Sequence, residues 1–244
     1  MSEPLTATQR DLIQATAAYG GYVARGMVEL HRPDLSDRYI KKLLSSLADS
    51  GYLRQAAYVP YKEQRVYQVT SVACKFCGCP NSHMRRNHQP DTMRRYLLRS
   101  HFLFANAPFS EYKPLSDTAG RIAYFNQRGV NNTLLPSKVN KSTTIVQIEE
   151  PILTFQPFAP KGGVCVVFVD RPTGDPLKQL MMWLDRYMPL IRSKALPLVF
   201  LSVVEDSARG VLYENLYKTI RTRTKLPKFS SFSIEHAYNY CGFE

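Results

Sequence analysis

Two strand-length runs without charged residues in their interiors constrain this chain most. GVCVVFVD (163–170) holds six consecutive apolar residues, and LPLVFLSVV (196–204) is interrupted only by Ser202 after its proline. A strand wetted on one face alternates apolar with polar side chains, so unbroken apolarity predicts a strand covered on both faces. Between the runs, LKQLMMWLDRYMPLIRSKA repeats Leu177, Leu180, Met181, Leu184, Met188 and Ile191 at helical spacing, which predicts an amphipathic helix with Trp183 packed beside that face. SARGVLYENLYKTIRTRTK predicts a further helix with a basic end. Upstream, TTIVQIEEPILTFQP is expected as one strand, joined to GVCVVFVD as a hairpin at Gly162-Gly163. Strands, helix, strand, helix predicts an α/β layer, with a right-handed crossover if the strands are parallel.

The first third has a different grammar. TATQRDLIQATAA begins with a Thr cap and ends at Gly20-Gly21, and YVARGMVEL predicts a short second helix. HRPDLSD supplies a turn with Asp34 and Ser36 as cap residues. In RYIKKLLSSLADS, Ile40, Leu43, Leu44 and Leu47 share one helical face, while Arg38, Lys41, Lys42 and Ser45 share the other. Gly51 ends that helix. YLRQAAYV and RVYQVT follow as strands, with Lys62 and Arg65 near the hairpin tip between them. Three helices and then a basic hairpin is the order of a winged helix, whose third helix enters the major groove while the wing meets phosphate.

Charge points the same way. Against 20 Asp+Glu the chain carries 32 Lys+Arg, a net of +12. Residues 1–113 hold 16 basic and 9 acidic side chains, and 114–244 hold 16 and 11, so no single tail accounts for the excess. Such a surplus favours an anionic partner, and double-stranded DNA fits the predicted helix best. A winged helix can also dock on protein, so an adaptor remains an alternative. No apolar run approaches the roughly 18 residues of a membrane span, and no membrane partner is expected. The start, MSEPLTATQRDL, has no leader-like pattern. Five cysteines, three of them within 74–79, make a poor disulfide framework, so a reducing cytosol is the expected location.

Those three cysteines open CKFCGCPNSHMRRNH. Cys74, Cys77, His83 and His88 have the residue types and closeness of a zinc knuckle, but Cys79 is a competing ligand and the cluster directly continues the strand VYQVT. Zinc is therefore the lesser expectation, and no cofactor is favoured. The run VYQVTSVACKFCGCPNSHMRRNH, followed by the helical RRYLLRSHFLF, resembles the segment after the winged helix in the replication–relaxation and plasmid-mobilisation family, a relaxase-like group. The resemblance implies that Cys74 packs, that residues 78–82 turn, and that Arg85, Arg86, Arg94, Arg95 and Arg99 extend the DNA-facing surface.

It also implies a restriction-endonuclease-like second domain, because VVFVDRPTGDPLKQLMMWLDRYMPLI and VFLSVV are similar to that family's last strands and helix. Active members place an acid on one strand and Glu-x-Lys or Glu-x-Asp-Arg on the next, where they hold Mg2+ against the scissile phosphate. Here the acids would be Glu149 or Glu150, and Asp170 with Arg171, while Phe168 stands where the glutamate belongs. Glu111-Tyr112-Lys113 has suitable letters in what is expected to be a loop. Tyr19 and Tyr22, as conceivable nicking nucleophiles, have no histidine beside them in sequence, and they are expected to pack. His101 is expected to be structural.

The expected fold class is thus α+β or α/β: an N-terminal winged helix-turn-helix at 1–72, a basic helical linker at 73–140, and a restriction-endonuclease-like mixed sheet with flanking helices at 141–244. The expected function is DNA binding, without cleavage, in mobilisation, conjugation, replication or transcriptional control of a mobile element. The resemblance implies a bacterial cytoplasm, with a second copy of the chain or other mobilisation or replication proteins as expected partners. The enzymatic alternative is a metal-dependent DNA nickase using Glu149, Glu150 and Asp170.

Overall fold

The computed structural model of the protein describes residues 4–56, 65–78, 88–140, 142–222 and 225–234. They fall into two compact units, one within Met1–Pro108 and the other within Phe109–Glu235. The expected borders at 72 and 140 are not where the chain divides. The helix after the cysteines goes wholly with the first unit, and residues 109–140 go with the second, so 73–140 is no separate linker.

The first unit begins with α1 (Ala7–Tyr19), closed by a reciprocal cap. Thr6 Oγ1 accepts from the Gln9 amide at 3.2 Å, and Gln9 Oε1 accepts from the Thr6 amide at 2.8 Å. After Gly21, which takes φ +81°, the expected second helix starts instead as a strand, β1 (Tyr22–Ala24). Its aromatic and β-branched residues find a partner strand, which local helix propensity does not anticipate. Then come α2 (Arg25–His31) and α3 (Asp37–Asp49), whose Ser36 cap accepts from the Tyr39 amide at 3.3 Å. Ile40, Leu43, Leu44 and Leu47 are buried as their spacing predicts, each burial contributing about 1.5–3 kcal/mol.

Gly51, at φ +76°, turns the chain into β2 (Leu53–Gln55), and β3 (Val66–Val69) returns. The three strands form an antiparallel sheet in the order β1-β3-β2, with Val23 opposite Tyr67 and Arg54 opposite Gln68. A short α4 (Ser71–Phe76), capped by Thr70, precedes α5 (Pro90–Asn106), which buries Leu97, Leu98, Phe102 and Leu103.

In the second unit, Glu111-Tyr112-Lys113 is helical rather than a loop. It spans the one-turn α6 (Phe109–Tyr112) and a 3₁₀ turn, and Tyr112 is buried. After α7 (Thr118–Gln127) the strand expected across 143–157 splits. Its first part, β5 (Thr143–Val146), pairs with β4 (Ser137–Asn140) in a separate two-stranded ribbon, and its second part is β6 (Ile152–Leu153). Pro151 lies between them without an amide hydrogen, next to two glutamates, which ends any continuous ladder.

The central sheet then runs β7 (Val164–Val169), α8 (Pro176–Ser193), β8 (Leu198–Val204), α9 (Ser207–Arg221) and β9 (Lys228–Ser233). Its order is β6-β7-β8-β9, antiparallel at the first pair and parallel at the other two. The edge strand β9 lies in a segment with no strand expected.

On α8 the buried face is turned from the expected one. Leu180, Trp183, Leu184, Tyr187 and Leu190 face inward, whereas Leu177 and Met181 are 46% and 40% exposed. Two aromatic residues, each with a larger apolar area than a methionine, set the rotation. Phe168 lies parallel to Trp183 with centroids 4.7 Å apart, and Trp183 stacks on Tyr213 at 5.4 Å. The protein is a mixed α+β chain with several small sheets. Among the described residues, no helix is long and apolar enough to cross a membrane.

Candidate functional site

On α3 the expected cationic face points outward: Arg38, Lys41, Lys42 and Ser45 are all exposed. They are not equivalent. Lys41 Nζ lies 2.8 Å from Asp37, which also meets Arg25 Nη1 at 3.0 Å. The Lys41 hydrogen bond, with Arg25 nearby, holds the Asp37 carboxyl below the ordinary carboxylate range. Arg38 and Lys42 form no ion pair with a described residue. Arg32 is held in a two-pronged pair with Asp34, at 2.9 and 2.8 Å.

Arg65 is exposed just before β3, and Arg94 and Arg95 are half-buried on α5. Lys62, Arg85 and Arg86 lie outside the described residues. Arg54, which the sequence did not single out, forks onto Gln68 Oε1 across the sheet at 3.1 and 2.7 Å.

The three candidate catalytic acids are dispersed among other partners. Glu149 is exposed and accepts from Gln147 Nε2 at 2.8 Å. Glu150 is buried: Arg186 Nη1 donates to one carboxylate oxygen at 2.6 Å and the Tyr187 hydroxyl to the other at 3.0 Å. Burial, with the Glu150 charge alongside, pushes the Tyr187 phenol far above its ordinary range.

Asp170, directly after β7, is fully buried. Arg209 grips it from two nitrogens, Nη2 at 2.9 Å and Nε on the other oxygen. Tyr213 donates at 2.6 Å, and Gln179 Nε2 lies at 3.3 Å. The same Arg209 Nη2 reaches the carbonyls of Arg171 and Gly174 at 2.9 and 2.8 Å, so the RPTG turn is tied into the cluster. The hydrogen bond to Asp170 raises the Arg209 pKa further still, and burial raises that of Tyr213.

Each buried acid is therefore matched to one arginine and one tyrosine, and Phe168, Trp183 and the two tyrosines fill the space with aromatic contacts. A divalent cation at Asp170 would have to displace donors already bound to both oxygens, leaving a guanidinium without its counter-charge. These residues do not fit such a cation. Arg186, Arg209, Tyr187, Tyr213 and Gln179 were missed in sequence. The available signal was indirect: an acid beside an apolar strand must find a cation if it is buried.

Cys74 on α4 is buried and Cys77, just after that helix, is half-buried, while His83 lies outside the described residues. His88 Nδ1 meets the Tyr22 hydroxyl at 2.7 Å. The fold thus gives Tyr22 the histidine neighbour that its sequence surroundings lack. The phenol is nonetheless buried, and burial pushes its pKa up to about 12, the opposite of what a nucleophile requires. Among the described residues, no three His, Cys, Asp or Glu side chains converge as a metal site would need. His101 is buried, and desolvation lowers it to about 4. Comparison with protein-family models, curated proteins and solved structures finds no match for the chain.

Proposed function

We propose that the first unit is a winged-helix module that lays α3 in the major groove of double-stranded DNA, and that the second is a restriction-endonuclease-like fold used for support rather than cutting. The observation that carries this reading is the division of α3, four aliphatic side chains wholly inward and Arg38, Lys41, Lys42 and Ser45 outward. The order helix, strand, helix, helix, strand, strand with a β1-β3-β2 sheet supports it, as does the net charge of +12. Backbone phosphates supply affinity to such a face and base edges supply specificity. The chain then acts in the bacterial cytoplasm, in mobilisation, replication or gene control of a mobile element, as the family resemblance implies.

The test is a double charge reversal, Arg38→Glu with Lys42→Glu, on the full chain binding a mixed-sequence DNA duplex. Affinity falls by at least about tenfold and the log–log salt slope loses about 2, roughly 0.9 per phosphate contact. Unchanged affinity and slope overturn the groove-binding role of α3.

A second reading rests on Asp37, whose carboxylate sits among the cations of this helix. Mixed charge suits a protein surface, so α3 would then dock on a protein partner. Binding of the duplex with no salt slope, or no binding at all, favours that docking role.

A further inference from the structure

From Thr118 to Ile148 the sequence carries Arg121, Arg128, Lys138 and Lys141 but no aspartate or glutamate. The β4–β5 ribbon lies within this stretch. Its base is fixed: Leu135, Pro136 and Ile148 are buried, and the Gln147 amide donates to the Pro136 carbonyl at 2.8 Å. Arg121 Nη1 holds the Ile148 carbonyl at 2.7 Å. Beyond that base every described residue of the two strands is exposed except the half-buried Val146.

Register assigns the faces. Lys138 opposes Ile145 and Asn140 opposes Thr143 on one, and Ser137 opposes Val146 and Val139 opposes Thr144 on the other. Val139 is 71% exposed and Ile145 50%, one on each face. Val146 packs on the core at the ribbon's base, but the remaining described residues of both strands are exposed. A two-stranded ribbon so little covered is marginal alone, and apolar residues exposed on both faces suit an element that enters something rather than lies against it.

We infer that β4–β5 is a second DNA-contact element, inserted as a ribbon into the major groove. This rests on the reading that the chain binds duplex DNA. Four residues per strand reach about 14 Å, and a two-stranded ribbon fits a groove about 12 Å wide, whereas the minor groove, about 6 Å wide, is too narrow. The side chains suit the site: Lys138 for phosphate or guanine, Asn140, Ser137 and the threonines for base edges, Val139 and Ile145 for thymine methyls. A stretch free of carboxylates opposes no phosphate.

The experiment compares Lys138→Glu and the pair Val139→Ser with Ile145→Ser against the unaltered full chain, on a DNA duplex and an RNA duplex of the same sequence. All three substitutions are at exposed positions outside both buried acid clusters, and circular dichroism checks that the fold is kept. Lys138→Glu weakens DNA binding about fivefold and lowers the salt slope by about 1, and the serine pair weakens it about threefold. The serine pair leaves binding to RNA unchanged, because its deep, narrow major groove does not admit side chains, and Lys138→Glu weakens RNA binding less than DNA binding.

DNA affinity unchanged in both variants, while the α3 double reversal abolishes it, overturns the ribbon and leaves the α3 reading standing. Loss in the ribbon variants with no loss in the α3 variant supports the ribbon and overturns α3. Equal weakening on both duplexes overturns the groove assignment, and no DNA binding by the unaltered chain overturns both readings.

Discussion

The two units treat ionisable side chains in opposite ways. In the first, charge stays at the surface of α3 and the buried histidine, His101, is held neutral by desolvation. In the second, two carboxylates are taken into the interior, and each brings an arginine and a tyrosine with it. Exposed cations keep their capacity for an outside anion. Buried, matched acids have theirs satisfied within the fold, because an unpaired buried charge costs far more than a paired one. The contrast separates a surface suited to binding from an interior suited to holding two helices on a sheet.

The sharpest way to break this contrast is at Asp170. Asp170→Asn keeps the shape but removes the charge opposite Arg209, and it should destabilise the second unit by about 3–5 kcal/mol, the usual cost of orphaning one member of a buried pair. The protein has a single tryptophan, Trp183, stacked on Tyr213 beside this cluster. Urea unfolding followed by its fluorescence therefore reports on this unit. Unchanged stability would mean that the cluster does not hold the sheet to its helices, and the carboxylate would again need a chemical explanation.

How much of this was legible beforehand follows the same divide. Ile40, Leu43, Leu44 and Leu47 declared the α3 face because a period of 3.6 is a local property. The apolar runs at β7 and β8 declared a covered sheet for the same reason. What stayed hidden was non-local. Arg209 reaches Asp170 across 38 intervening residues, and Arg186 reaches Glu150 across 35, contacts that no spacing rule encodes.

Sequence pattern merges β5 into a longer strand and gives no strand at β4, because alternation cannot say which partner a strand chooses. The rotated face of α8 escapes a pattern of leucine and methionine spacing because the size of Trp183 and Tyr187 decides which side is buried. In sequence Phe168 stands only as the residue in a glutamate's place, and its own role, a stack on Trp183, depends on a contact between strand and helix.

A smaller effect should appear in the first unit as pH falls. In an unfolded chain the His101 imidazole titrates near 6.5, whereas burial in the fold lowers it to about 4. Below pH 6.5 the unfolded chain takes up a proton that the folded chain refuses, so stability present above that pH is lost progressively down to about 4. Between about pH 7 and 5 the loss attributable to this group is about 2 kcal/mol. His101→Leu should remove that increment, read as the difference between the two proteins in amide exchange on α5 at the two pH values. An equal loss in both would show that other groups carry the acid sensitivity, and the description of His101 as a neutral core residue would fail.

The smallest effect on stability, and the finest test of the contrast, is at Lys41. Its ammonium pairs with Asp37 at 2.8 Å, but both side chains are about half exposed or more, and an exposed pair in the i,i+4 arrangement contributes little to folding. Lys41→Gln should leave the unfolding midpoint unchanged within error. It should still weaken binding to a DNA duplex by about threefold near 150 mM salt, because one fewer cation displaces counterions from phosphate. The two readouts part company only if the charge faces outward for a partner. A lower midpoint with unaltered binding would place Lys41 among the groups that serve the fold, as Arg209 does, and the distinction between the two units would then hold for their interiors alone.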